Sequence, residues 1–153
     1  GDVYKRQQAH GIPQAVIDCC GFASKFPESA QRSVAQTMLG TGADLICLAG
    51  FMRLIKRPLL DAFPQRVINI HPSLLPAFPG LAAWQQALDA GVTETGCTVH
   101  YVDEGMDTGP IILQEKVPVL REDDAHSLHQ RIQQAEHRLY PRAVDLLRVR
   151  LLG

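Results

Sequence analysis

Nowhere does the chain carry an apolar run of about 18 residues, the least that crosses a bilayer as a helix. Nor does a charged start, an apolar stretch and a small-residue cleavage site mark a secretory leader. The expectation is a soluble, cytoplasmic protein with no membrane partner. The four cysteines, Cys19, Cys20, Cys47 and Cys97, lack CxxC spacing; they form one adjacent pair and two singles inside apolar runs. Buried, reduced thiols are the simplest reading. Basic residues are scattered except for Arg138, Arg142, Arg148 and Arg150, and the net charge is −1. No stripe suited to a phosphate backbone results, so a nucleic-acid partner is not expected. Internal repeats, low-complexity segments and linkers are also missing, and a second domain is not indicated.

What remains is ordinary globular material: 153 residues, 46% hydrophobic and 20% charged, enough for one domain around one core. The chain opens GDVYKRQ without an initiator Met. These residues, 1–7, are set apart as a non-native scar, and the domain is placed at 8–153.

Residues 8–13 read as a helix end stopped by Gly11, and 14–18 (QAVID) as a short strand, followed by a loop over 21–28. A helix is expected over 29–39. The continuous apolar run 44–49 (DLICLA) fits a strand buried on both faces. Pro58 opens a short helix that Pro64 ends, and 66–70 (RVINI) is another strand. HPSLLPAFPG, with three prolines and a glycine, is a stiff loop. A helix over 81–90, a strand over 97–102, a turn at EGMDTG and a strand over 110–120 follow, with Pro118 marking an edge or a late bend. The last helix begins near Asp123, shows Leu128, Ile132, Ala135 and Leu139 on one face, and should be kinked or divided by Pro141. Such alternation predicts an α/β fold: an open, mainly parallel twisted sheet with helices on both faces, and an antiparallel pair across the EGMDTG turn.

Ligands of such sheets bind beyond the C-terminal ends of the strands, which directs attention to GFMRL, to Asn69-Ile70-His71-Pro72-Ser73, and to the loop from Asp103 to Gly109. Asn69 and His71, two apart, share a face and offer an amide donor and a titratable imidazole. Asp107, in a glycine-flanked loop, would favour the charged imidazole if brought near it. That set can stabilise an oxyanion and move a proton; the same residues could instead serve only their own loops. His100 could face the same pocket, although its strand pattern favours a half-buried filling role. A metal site from His71, His100, Cys97 and Asp107 lacks any recognised ligand spacing, and none is expected. Ser73 follows no GxSxG elbow, which disfavours a serine nucleophile.

Taken together, AGFMRL (49–54), NIHPSLLPAFPG (69–80), GCTVHYVDEGMDTGPII (96–112) and QAEHRLYP (134–141) closely resemble the phosphoribosylglycinamide formyltransferase (glycinamide ribonucleotide transformylase) family. The resemblance implies a Rossmann-like formyltransferase domain and an activity in purine (IMP) biosynthesis. A formyl group would pass from the co-substrate 10-formyltetrahydrofolate to the amine of glycinamide ribonucleotide. Asn69 and protonated His71 would stabilise the oxyanion, and Asp107 would hold His71 charged and help remove the amine's proton. Met52, Arg53, Leu54 and Ile55, with Asp103, Glu104 and Asp107, would bind the folate; Pro72 and Glu136 would contact the ribonucleotide. The alternatives are hydrolysis of the formylfolate, and a non-catalytic remnant that binds folate or a partner.

The chain also departs from the family pattern. Ala82 stands where a histidine is frequent, and FPES lacks an arginine that often helps to hold the folate. The family's first strand, its Gly-Ser-Asn phosphate loop and its first helix find no counterpart between residues 1 and 43. The expectation is therefore a domain lacking its first strand-helix unit, with little transferase activity as it stands.

Overall fold

A strand exists only where a neighbour accepts its hydrogen bonds, and that requirement decides most of this architecture. The computed structural model describes residues 2–19, 21 and 25–152, with side chains from residue 5 onward. Along the chain come α1 (Asp2–Ala9), α2 (Glu28–Gly40), β1 (Ile46–Leu48), α3 (Arg57–Ala62), β2 (Val67–His71), α4 (Ala83–Asp89), β3 (Glu94–Tyr101), β4 (Ile111–Pro118) and α5 (Ala125–Leu152). The strands form one open sheet in the order β1-β2-β3-β4. β1 and β2 are parallel, whereas β2 with β3 and β3 with β4 are antiparallel. The antiparallel pair across EGMDTG is the one expected. The second, between β2 and β3, makes the sheet mixed.

Helices cover both faces, as the alternation of elements implied. On one side Ile46 of β1 and Val67 of β2 pack with Ile55, with Leu59 of α3 and with Ala35 of α2. On the other, Ile68, Cys97, Val99 and Val117 meet the stripe Leu128, Ile132, Ala135, Leu139, Ala143 and Leu147 of α5. Val67 and Ile68 thus face opposite layers, as the period of two requires. Each large aliphatic side chain so buried contributes about 1.5–3 kcal/mol of transfer free energy.

Several expectations are corrected. Residues 14–18 form no strand: among the described residues no strand lies beyond β1 to pair with them. β1 is shorter than the apolar run suggested, and its burial runs from Ile46, buried, to Cys47, exposed. Among the described strands β1 pairs with β2 alone, and Tyr140 of α5 is the group that reaches Cys47. Cys97 is buried and Cys19 intermediate, and all three described cysteines are free; Cys20, like residues 22–24 of the expected loop, lies outside the described residues.

Pro141 does not divide α5. It removes one main-chain donor, but Leu139, Ala143 and Leu147 are buried on either side of it, and this packing carries the helix through. The helix begins at Ala125 because Asp124 caps it: Asp124 Oδ1 accepts from Ser127 N at 2.8 Å, and Ser127 Oγ accepts from Asp124 N at 3.1 Å. This is the reciprocal arrangement of a capping box. Asp123 turns instead to Arg131, whose guanidinium donates at 2.6 and 2.9 Å and holds the carboxyl well below the usual carboxylate range.

The helix end predicted near Gly11 is present, with α1 closing at Ala9 and Gly11 at a φ of 64°. Residues 2–7, set apart on sequence, lie within α1. Pro118 is the last residue of β4, at the sheet edge where a missing N–H is tolerated.

Candidate active site

Three loops meet beyond the C-terminal ends of β1 and β2, around a cavity of about 950 Å³. That is the upper part of the range for small-molecule sites. β2 delivers Asn69 and His71 from alternate positions on one face. The turn between β3 and β4 delivers Asp107. Its shape is set locally: Asp103 Oδ1 accepts from Gly105 N at 2.9 Å and from Thr108 Oγ1 at 2.7 Å. Gly109 closes it, since a Cβ there would overlap the carbonyl oxygen of Tyr101. Asp107 itself has a φ of 55°, a left-handed conformation that costs a non-glycine residue energy.

These loops bring the sequence-predicted trio together. His71 Nδ1 lies 3.4 Å from Asp107 Oδ2, and His71 Nε2 lies 2.9 Å from the carbonyl oxygen of Phe78. Each ring nitrogen thus faces an acceptor, and a ring donating from both satisfies both. The imidazole is only 5% exposed, so its two partners fix its plane. Asp107 Oδ2 also accepts from the N–H of Gly80 at 2.9 Å.

His100 belongs to the same cluster, where the strand pattern had favoured a filling role. It is buried, and its Nδ1 donates to the carbonyl of Tyr101 at 2.8 Å. Nε2 is then left facing Asn69 Nδ2 at 3.5 Å and Asp107 Oδ1 at 3.7 Å. Alternation along β3 gives His100 this face: Cys97 and Val99 point into the α5 core, so Thr98 and His100 point the other way, and the irregular register beside His100 places its extra residue, Ile112, on β4. Cys97 lies apart from this cluster, in the α5 core, where burial and then Glu136 and Glu115 push its thiol up to about 12.

Met52, Arg53, Leu54 and Ile55 all line the cavity, as do Pro72, Asp103 and Glu136. Met52 and Leu54 are exposed, while Ile55 is also core. Arg53 Nη1 donates to Cys19 Sγ at 2.7 Å. Glu104 is exposed and outside the lining, and its backbone carbonyl accepts from Lys56 Nζ at 3.2 Å. Ser73 is fully buried, with its hydroxyl donating to Ala77 O at 2.5 Å; it has no access to a substrate. Among the described residues no group of three or more His, Cys, Asp or Glu is arranged to hold a metal ion.

The α5 wall was less legible. Trp84 of α4 stacks on His129 of α5, with ring centroids 3.7 Å apart and planes 9° from parallel. The pair forms one side of the cavity. Tyr140 reaches across from α5 so that its hydroxyl lies 2.6 Å from Leu48 O and 3.2 Å from Ile68 O. It ties the ends of β1 and β2 beneath the site.

Glu136 is partly buried in this wall, and burial pushes its carboxyl up to about 7. In the unfolded chain the group ionises near pH 4.5. Between those values the unfolded state has already released its proton while the folded state retains it, so stability falls as pH rises through the interval. Glu136→Gln should therefore raise the melting temperature at pH 8 and leave it unchanged at pH 4. An equal shift at both pH values would refute the assignment.

Comparison with known proteins agrees with this geometry. The formyl transferase family profile matches residues 2–144. The Drosophila melanogaster trifunctional purine biosynthetic protein adenosine-3 is 50% identical over 143 residues, which is 94% of this chain and 10% of that protein. The phosphoribosylglycinamide formyltransferase of Bacillus subtilis is 43% identical over 145 residues, covering 95% of this chain and 73% of the relative. Among solved structures, the phosphoribosylglycinamide formyltransferase of Bacillus halodurans superimposes with a TM-score of 0.89 at 47% identity, covering 97% of this chain and 75% of that one. The glycinamide ribonucleotide transformylase 1 of Symbiobacterium toebii gives 0.86 at 48% identity, covering 92% and 65%. The chain thus spans 10% of the trifunctional relative and 65% to 75% of these single-function proteins. With a profile match over nearly its whole length and a mixed open sheet that superimposes on these structures, this chain belongs to the formyl transferase family.

Proposed function

We propose that the site transfers a formyl group from 10-formyltetrahydrofolate to the amine of glycinamide ribonucleotide, the reaction of de novo purine synthesis, and that residues 8–153 act as one catalytic domain in the cytoplasm. The observation that carries this reading is the convergence of Asn69, His71 and Asp107 on one large cavity, with His71 held 3.4 Å from Asp107. The cavity suits the substrates: Met52, Leu54 and Ile55 offer an apolar wall to a flat heterocycle, and the Asp103–Asp107 turn offers main-chain groups to its edge. Pro72 and Glu136 lie on the wall assigned to the ribonucleotide.

The chemistry asks for charge stabilisation where the formyl oxygen becomes negative as the amine adds. Asn69 supplies an amide donor and His71 the N–H at Nδ1, which at 3.4 Å from Asp107 Oδ2 is not committed to a close hydrogen bond; preorganised donors in a buried site are worth more than in solvent. Asp107 orients the ring and accepts the proton that the attacking amine loses; as the intermediate collapses, the bond from the formyl carbon to the folate nitrogen breaks and that nitrogen takes up the proton, while His100 Nε2 stands beside both Asn69 and Asp107. No residue needs to act as a covalent nucleophile.

The test is direct. Purified chain, 10-formyltetrahydrofolate and glycinamide ribonucleotide are combined, and deformylated folate and formylated product are both quantified. The two should appear in equal amounts. Formate in place of formylated ribonucleotide would instead support hydrolysis, and folate binding without turnover a binding role.

A further inference from the structure

The segment that leads from β2 to α4, whose Gly80, Leu81 and Ala82 line the cavity, carries an unusual backbone. Phe78, Gly80 and Ala82 have φ values of 53°, 81° and 50°. For the two non-glycine residues this conformation costs on the order of 1–2 kcal/mol each, so the segment keeps its shape only where other contacts impose it. It is also the segment that holds the reactive pair from the side opposite the sheet. The Phe78 carbonyl accepts from His71 Nε2, and the Gly80 N–H donates to Asp107 Oδ2, both at 2.9 Å.

The imposing contact comes from α4. The two N–H groups of the Gln86 side-chain amide reach the carbonyls of Pro79 and Leu81, each at 2.9 Å. These are the carbonyls on either side of Gly80. A primary amide has two donors, and here both are used on the one tripeptide whose central N–H holds Asp107. Gln86 is not among the residues that line the cavity, so it has no substrate of its own to bind.

We infer that Gln86 is a positioning residue of the active site: by gripping the main chain around Gly80 it sets where the Gly80 N–H and the Phe78 carbonyl hold Asp107 and His71. The inference rests on the proposed formyl transfer for its kinetic consequence, but its structural content is independent of turnover. Gln85, the preceding residue, serves as a control, because its amide donates to Asp89 on the same helix at 2.8 Å instead.

The experiment compares Gln86→Met, which keeps the length and removes both donors, with Gln86→Lys, which restores donors, and Gln85→Ala. Gly80→Ala is the second probe; its added Cβ would sit at a strained φ, 3.3 Å from Met106 Sδ. The readouts are the nitrogen resonances of the His71 ring in the substrate-free chain, and kcat and KM for formyl transfer. Gln86→Met and Gly80→Ala should both shift the His71 ring signals, while Gln85→Ala leaves them in place. Gln86→Met should lower kcat about tenfold or more, since small misplacements of reacting groups are costly. It should leave each KM within about twofold, and Gln86→Lys should recover most of the loss. Unmoved His71 signals in folded Gln86→Met would overturn the inference, as would a loss confined to KM. Should Gln86→Met not fold, unmoved signals in Gly80→Ala are the overturning result. If the unaltered chain transfers no formyl group, the proposed function fails, and the ring signals alone still decide for or against Gln86.

Discussion

Replacing His71 by alanine should lower formyl transfer by on the order of a thousandfold while leaving folate affinity within a few-fold. The imidazole is nearly fully buried between Asp107 and the Phe78 carbonyl, so its cost in orientation is met before any substrate arrives. A thousandfold corresponds to about 4 kcal/mol of barrier, the upper range for one preorganised donor. Loss of His71 leaves the Asp107 carboxylate and the Phe78 carbonyl facing space that water can enter, but a water there supplies no fixed N–H for the oxyanion. Asn69→Ala should cost about a hundredfold or more through the other donor. Initial rates with both substrates saturating, together with folate binding by fluorescence, separate the effects. A His71→Ala rate within tenfold of the parent would show that the cluster is not the seat of the chemistry.

The largest effect on stability is expected from Ile132→Ala. Ile132 is fully buried in the middle of the α5 stripe, in the same core as Ile68, Cys97 and Val99. Its truncation removes apolar contact and leaves a cavity that a helix anchored on both sides cannot close, at a cost of about 2–5 kcal/mol. Against the ordinary 5–15 kcal/mol of a domain, that is a large fraction. Urea unfolding should show a lower midpoint with an unchanged slope. Val149→Ala, at a position 60% exposed on the same helix, should change stability by less than about 0.5 kcal/mol. Similar losses for both variants would mean that burial in the core does not govern α5, since alanine raises helix propensity at both positions.

The α5 stripe shows what a sequence makes legible. Leu128, Ile132, Ala135 and Leu139 recur at helical spacing, and all are buried; the pattern is local and has one cause. Asn69 and His71 were legible for the same reason, as neighbours by two at a strand end. Asp107 stood out by its glycine-flanked loop beyond a strand, but no local rule places it beside His71, since the two lie in segments far apart in the chain. The grip of Gly80 on Asp107 and the stack of Trp84 on His129 had no local signal, because each depends on how elements meet. The strand expected at 14–18 failed for a related reason: apolar alternation supplies a face, but a strand also needs a neighbour. Pro141 is the converse case. A local rule predicts a kink or a division, and the helix is not divided because burial on both sides of Pro141 carries it through.

Tyr140 carries one more consequence. β1 has three residues and pairs on one side with β2, and from α5 the Tyr140 hydroxyl reaches Leu48 O on β1 and Ile68 O on β2. In the language of hydrogen exchange, this makes β1 the place where the sheet opens first and Tyr140 the residue that sets how often. Removing the hydroxyl would speed exchange at the β1 amides paired with β2 while the β3–β4 ladder kept its protection. The floor of the active site and the least protected strand of the sheet are therefore the same element, and one phenol on a distant helix governs both.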